Sequence, residues 1–258
     1  WPWLPTYAYR PGIMLHVIER ILDLSDKLKI PYHFVCMFDN STPALVERCE
    51  TKMKEMMGSN CTSVVTNCLD DLDKGDHPRR MYPDGTITTM YLHGSWTFFV
   101  TSMEEIKKRA NENTVIFFTE CDYLYKDDAF IKGFKMMDAN EGDFVTLYEH
   151  PQIYDFNTDP KWEAGIKEFA GHTWRPVSST CLTFLGTMKS INKYPAMFLE
   201  SSNDWGDTGL WGNIYQAGGA NLWMSVPSLS YHSFSHNMPT TEWSDLFNSM
   251  IEKGKFYL

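Results

Sequence analysis

Apolar positions along the chain alternate between short continuous runs and helical spacing. Ile13, Val17, Ile18, Ile21, Leu22 and Leu28 recur at three- and four-residue intervals, with Pro11 near the start; they predict a helix that Pro31 stops. Before it, Leu4–Tyr9 reads as a short first strand ended by Arg10-Pro11-Gly12. Tyr32–Phe38 is an apolar, aromatic run of strand length, followed by the turn-forming Asp39-Asn40-Ser41-Thr42-Pro43. Thr42 or Ser41 is placed to cap a helix over Pro43–Met57, and Thr62–Thr66 is a β-branched strand. Residues 67–90, rich in Asp, Gly and Pro, predict an irregular excursion. A helix over Gly94–Ala110 closes on Lys107-Lys108-Arg109, where positive charge suits the helix dipole. Thr114–Thr119 is the next strand, and Glu120-Cys121-Asp122 follows it directly.

The same alternation continues with a helix over Asp127–Ala139, strands over Asp143–Tyr148 and Ser179–Leu185, a helix over Trp205–Gln216, a strand over Asn221–Val226 and a closing helix over Glu242–Lys253. Strands alternating with helices predict an α/β fold whose sheet is mostly parallel and flanked by helices on both faces. Ligands of such sheets lie beyond the carboxyl ends of the strands. No repeat, low-complexity tract or linker composition interrupts the 258 residues, so residues 1–258 read as one domain.

Charge narrows the function. The chain has 33 acidic against 23 basic residues, a net −10, and its densest basic clusters are only Lys107-Lys108-Arg109 and Arg79-Arg80. A polyanion binder needs a basic face, so non-specific nucleic-acid binding is not expected. An acidic protein still binds a small phosphate ligand when a metal supplies the positive charge. Aromatic residues make up 15%, a surplus suited to stacking on planar bases or sugar rings. No apolar stretch approaches the ~20 residues of a membrane span. Six cysteines contain no C-x-x-C pair, which argues against structural zinc and for reduced thiols. A glycan on the Asn40-Ser41-Thr42 sequon would obstruct the turn after the second strand, which disfavours a secretory route and predicts a cytoplasmic location.

Four clusters carry candidate chemistry. Phe117-Phe118-Thr119-Glu120-Cys121-Asp122 delivers two carboxylates, two residues apart, at a strand exit. On an extended chain both point to one side and can reach one Mg²⁺ or Mn²⁺, the hard cations that oxygen ligands favour; the alternative is a solvated turn before the Asp127 helix. Asp39 ends its strand and can accept hydrogen bonds from a ribose or base, or simply form an Asx-turn. Asp204, in Ser202-Asn203-Asp204-Trp205-Gly206-Asp207, can cap the following helix or act as a general base. His232, after Val226-Pro227-Ser228, can ligate a metal, with His236 in reserve.

In this order the pieces resemble the GT-A glycosyltransferases, especially the family-2-like group. The resemblance rests on Thr6-Tyr7-Ala8-Tyr9-Arg10 after the first strand, Asp39-Asn40-Ser41 after the second, Gly94-Ser95 opening a helix, Glu120-Cys121-Asp122 in the place of the DXD motif, Asn203-Asp204-Trp205, and Pro227-Ser228 with His232. It implies a GT-A, Rossmann-like fold, with residues 1–122 binding the nucleotide sugar and residues 123–258 binding the acceptor. It also implies a donor site formed by Thr6, Tyr9, Arg10, Asp39, Gly94, Ser95, Glu120, Cys121 and Asp122, a Mn²⁺ or Mg²⁺ ion on Glu120, Asp122 and His232, and Asp204 as the base of an inverting transfer to an acceptor hydroxyl. Two departures stand out: Glu-Cys-Asp replaces Asp-x-Asp, and Asn203-Asp204 replaces a Glu-Asp pair, which brings Asp207 and Glu200 into question as bases. A nucleotidyltransferase would carry a Gly-rich basic phosphate loop near its start, where Leu4–Gly12 offers only Arg10 and Gly12. A carbohydrate-binding module would explain the aromatics but not the carboxylates at successive strand ends.

Overall fold

The computed structural model describes residues 10–39, 41–66, 79–81, 87–89, 102–149, 165–180, 183–195, 198, 206–232 and 240–255. Helix α1 (Arg10–Leu28) leads into strand β1 (Phe34–Asp39), helix α2 (Pro43–Met57) and strand β2 (Cys61–Thr66). The two strands pair in parallel, from Phe34 opposite Cys61 to Asp39 opposite Thr66. Lys29, just beyond α1, adopts φ 55° and turns the chain towards Pro31. Thr42 occupies the N-cap position of α2, but its side chain makes no capping bond. The expected hydroxyl cap is therefore absent there, and the Thr42 carbonyl accepts from Leu45 and Val46 at 3.0 and 3.1 Å.

Within the stretch expected to be irregular, β3 (Arg79–Met81) and β4 (Ile87–Thr89) form a short antiparallel pair. A helix at residues 102–107 (α3) precedes β5 (Val115–Phe118) and β6 (Tyr123–Tyr125). Then come α4 (Ala129–Ala139), β7 (Phe144–Thr146), β8 (Lys167–Phe169), β9 (His172–Val177), β10 (Phe184–Thr187), α5 (Met188–Lys193), α6 (Gly206–Gly218), β11 (Leu222–Val226), β12 (Ser230–His232) and α7 (Thr241–Lys255).

The larger sheet has the order β5-β10-β7-β11-β9-β8. Its pairings correct the expectation of a mostly parallel sheet. Only β7 and β11 pair in parallel; β10 runs antiparallel to both β5 and β7, and β9 antiparallel to both β11 and β8. The fold is thus mixed α/β. Two features cause the difference. β10 inserts between β5 and β7 with reversed direction, leaving at Thr187, whose hydroxyl caps α5 by accepting from Ser190 N–H at 3.0 Å. The far edge is a hairpin, β8–β9, closed by Ala170 and Gly171 at φ 53° and 69°, the paired positive φ angles of a type I′ turn.

Successive residues of a strand face opposite sides of a sheet, and here they feed two separate cores. Val145, Leu185, Trp223 and Trp174 pack beneath α1, α4 and α7, with Ile13, Val17, Phe130, Met137, Trp243 and Met250. Phe144, Phe184, Leu222, Met224 and Val177 pack on the other face, against Met103 of α3, Ile191 of α5 and Leu210, Trp211 and Ile214 of α6. Helices therefore cover both faces, as expected. Each fully buried side chain of this size stabilises the fold by roughly 1.5–3 kcal/mol. α1 also turns Ile18 towards Met53 and Met57 of α2, so it is shared between the β1–β2 unit and the large sheet.

Candidate functional site

Both β5 and β7 run antiparallel to β10, and β11 runs parallel to β7. The carboxyl ends of β5, β7 and β11 consequently share one edge of the sheet. Three chain segments leave that edge: Thr119–Asp122 after β5, Leu147–Glu149 after β7, and Pro227–Leu229 after β11.

The β5 exit is held from below. Tyr125 of β6 is fully buried, and its hydroxyl lies 2.5 Å from Thr119 Oγ1. Burial raises the Tyr125 phenol well above its ordinary range, so it keeps its proton. On the main-chain side, His16 of α1, also fully buried, places Nε2 2.8 Å from Tyr125 O. In the neutral Nε2–H tautomer, the imidazole donates to that carbonyl. Phe117 and Phe130 pack edge-on around the Tyr125 ring, at 5.6 and 4.9 Å.

β6 pairs antiparallel with β12, which sets Tyr123 opposite His232. One step outward, His232 Nε2 lies 3.3 Å from Asp122 Oδ2; the two side chains are 31% and 15% exposed. The imidazole rests on the Tyr123 ring, 4.9 Å between centroids and 31° from parallel, and Tyr123 meets Tyr148 edge-on at 5.3 Å. The hydrogen bond to Asp122 raises the His232 pKa above its ordinary value; partial burial opposes the shift, and the charges of Asp122 and Glu120 add to it. Residues 110 apart in sequence thus form a carboxylate–imidazole pair on an aromatic floor.

Glu120 and Asp122 differ in setting. Cys121 and Asp122 form a turn, which breaks the alternation that would aim both carboxylates alike; Glu120 and Cys121 are exposed, and Asp122 is partly sheltered. Among the described residues, no three His, Cys, Asp or Glu side chains gather closely enough to enclose a metal. The carboxylate and imidazole of Asp122 and His232 are suitable donors for a cation that takes its remaining ligands from water and phosphate, the usual habit of Mg²⁺.

The other expected positions fall as follows. Asp39 closes β1, at the carboxyl end of a strand as anticipated. Arg10 opens α1. Burial pushes the Cys36 thiol, in the middle of β1, well up, and the neighbouring thiols add to the shift. Cys36, Cys49 and Cys61 are free thiols. Thr6, Tyr9, Gly94, Ser95, Glu200, Asp204 and His236 lie outside the described residues, as do the side chains of Arg10, Asp39 and Asp207.

Sequence reasoning did not single out Glu149, Tyr148 or Tyr123. Glu149 leaves β7 at the shared edge, and its half-buried carboxylate accepts from Ser228 N–H at 2.9 Å. Burial raises its pKa, while the Ser228 bond and the Arg175 charge pull it down. The available signal was a lone acid directly after an apolar strand run, the same signal that drew attention to Asp39.

No family model matches this chain, and a search of curated proteins finds no match either. Among the described residues, no helix is long and apolar enough to cross a membrane.

Proposed function

We propose that the chain is a metal-dependent glycosyltransferase that moves a sugar from a nucleoside diphosphate sugar to an acceptor hydroxyl, with inversion. The observation that carries this reading is the Asp122–His232 pair, 3.3 Å apart at the edge where three strands end. A strand-exit carboxylate and an imidazole from a distant strand form an incomplete donor set, suited to a cation that is shared with a diphosphate. The net charge of −10 agrees with it, because an acidic protein needs a cation to hold a phosphate ligand.

On this reading Asp122 and His232 hold Mn²⁺ or Mg²⁺, with Glu120 adding negative charge from the exposed side of the turn. The bound ion supplies Lewis-acid neutralisation of the leaving diphosphate. The chain's own residues do the rest. Tyr125, Thr119 and His16 keep the β5 exit in place, and the Tyr123 ring fixes the plane of the His232 imidazole. Asp39, at the end of β1, accepts hydrogen bonds from the ribose or base, within a donor site that includes Thr6, Tyr9, Arg10, Gly94, Ser95 and Cys121. Asp204 takes the proton of the acceptor hydroxyl, a role that contributes roughly 10²–10⁴-fold to rate.

A panel of nucleoside diphosphate sugars incubated with the protein and Mn²⁺ tests the reading, with nucleoside diphosphate release as the signal. Release from one donor that stops with chelator is the expected result. Absence of release from every donor, together with sugar binding indifferent to nucleotide and metal, would instead make the chain a carbohydrate-binding module.

A further inference from the structure

β12 has only three residues, and His232 is its last. So short a strand holds its own register weakly, and a slip of one residue would turn His232 to the opposite face. What holds the register lies outside the acidic turn. Glu149 and Ser228 are bonded in both directions: Glu149 N–H donates to Ser228 Oγ at 3.0 Å, and Ser228 N–H donates to Glu149 Oε2 at 2.9 Å. The Ser228 hydroxyl has its own acceptors in Ser230 O at 2.5 Å and Leu147 O at 3.2 Å. Around them Leu147 O also receives Ser230 N–H at 2.9 Å, Leu229 N–H at 3.0 Å and the Ser225 hydroxyl at 2.8 Å. Tyr148 bridges to Ser230 alongside.

The exit of β7 is thereby sewn to the turn that feeds β12. Counting outward from the seam, Ser230 faces Tyr125, Tyr231 faces Leu124 and His232 faces Tyr123. A carboxylate is a costly residue for a half-buried seam, since burial disfavours its charged form. Its two oxygens reach further than a serine or asparagine would, across to the turn's main chain.

We propose that Glu149 is a positioning residue for the Asp122–His232 pair: its buckle with Ser228 sets the register of β12 and so the place of the imidazole. The proposal rests on the metal-site reading above only for its functional consequence; the register itself is a separate observable.

Two readouts keep these apart. Ring-current shift and nuclear Overhauser contact between His232 and Tyr123 report register without any metal. Mn²⁺ affinity in the presence of a nucleoside diphosphate, by electron paramagnetic resonance, reports the site. Glu149→Gln keeps an acceptor for Ser228 N–H and is expected to hold the His232–Tyr123 contact and Mn²⁺ affinity within about twofold. Glu149→Ala is expected to lose the contact and weaken Mn²⁺ binding about 10–100-fold, the range for residues that orient metal ligands. Should Glu149→Ala not fold, Ser228→Ala decides, since it removes the hydroxyl half of the buckle and should disturb the same contact. An undisturbed contact in Glu149→Ala, or in Ser228→Ala when that variant decides, overturns the proposal; so does its loss in Glu149→Gln. If the wild-type protein binds no Mn²⁺, the metal reading fails, and the contact still decides the buckle.

Discussion

At the scale of single residues, the site is a balance between shelter and charge. His232 is raised above its ordinary pKa chiefly by its hydrogen bond to Asp122. The sign follows from linkage: a group whose folded pKa exceeds its unfolded one adds stability that is full below the unfolded value, near 6.5, and lost as pH rises through the folded value. In chelator, therefore, His232→Gln should lower the melting temperature more at pH 5.5 than at pH 8.5. The differential should be at most about 1 kcal/mol for a pair this close to solvent. Equal losses at both pH values would mean that the pair contributes nothing in solution. Glu149 behaves in the opposite sense to a salt-bridged acid. Its folded pKa lies above the unfolded one, so its contribution is full at acid pH and is lost as pH rises through the folded value. The neutral Glu149→Gln should accordingly melt at or above wild type at pH 7, with the gap closing towards pH 4; a variant less stable at pH 7 would contradict the burial argument.

At the scale of elements, the sheet depends on two backbone details. Gly186 of β10 sits against Phe144 of β7, where an added Cβ would meet the ring at 2.7 Å. Gly186→Ala should destabilise by about 1–3 kcal/mol, the usual cost of overpacking, measured by chemical denaturation. At the β8–β9 turn, Ala170 carries a positive φ that an asparagine tolerates better. Ala170→Asn should raise stability by up to about 1 kcal/mol, and a loss would argue against the type I′ turn. These details also explain which elements the sequence made legible. α1, α2, α4, α6 and α7 were readable from helical spacing, and β1, β5, β7 and β11 from apolar runs. The β8–β9 hairpin was hidden: its turn is Ala-Gly rather than Asn-Gly, Pro176 interrupts β9, and β8 is exposed throughout. β6 and β12 are too short for a periodic signal, and strand direction leaves no trace in periodicity, so the reversed β10 could not be foreseen. Of the site, Asp122 was readable as a carboxylate after an apolar run and His232 as an imidazole after a late strand. The Glu149–Ser228 seam was not, because reciprocal bonds between segments 79 residues apart follow from topology alone.

At the scale of the molecule, residues expected to serve two halves share one core. α1 packs on β6 and α7, and through Ile18 on α2, so the β1–β2 unit and the edge carrying Asp122 are coupled through one helix. A nucleotide held at the end of β1 and a cation held beside β6, as proposed, would thus share one supporting helix. Titrating Mn²⁺ into the protein with and without saturating nucleoside diphosphate, for wild type and Asp122→Ala, tests whether Asp122 holds a cation shared with the diphosphate. The expected result is tight Mn²⁺ uptake by the wild type that depends on the nucleotide, and a loss of at least about 100-fold in a variant that still folds, since even indirect partners of metal ligands are worth about 10–100-fold. Equal Mn²⁺ uptake by both proteins, or uptake indifferent to the nucleotide, would contradict it.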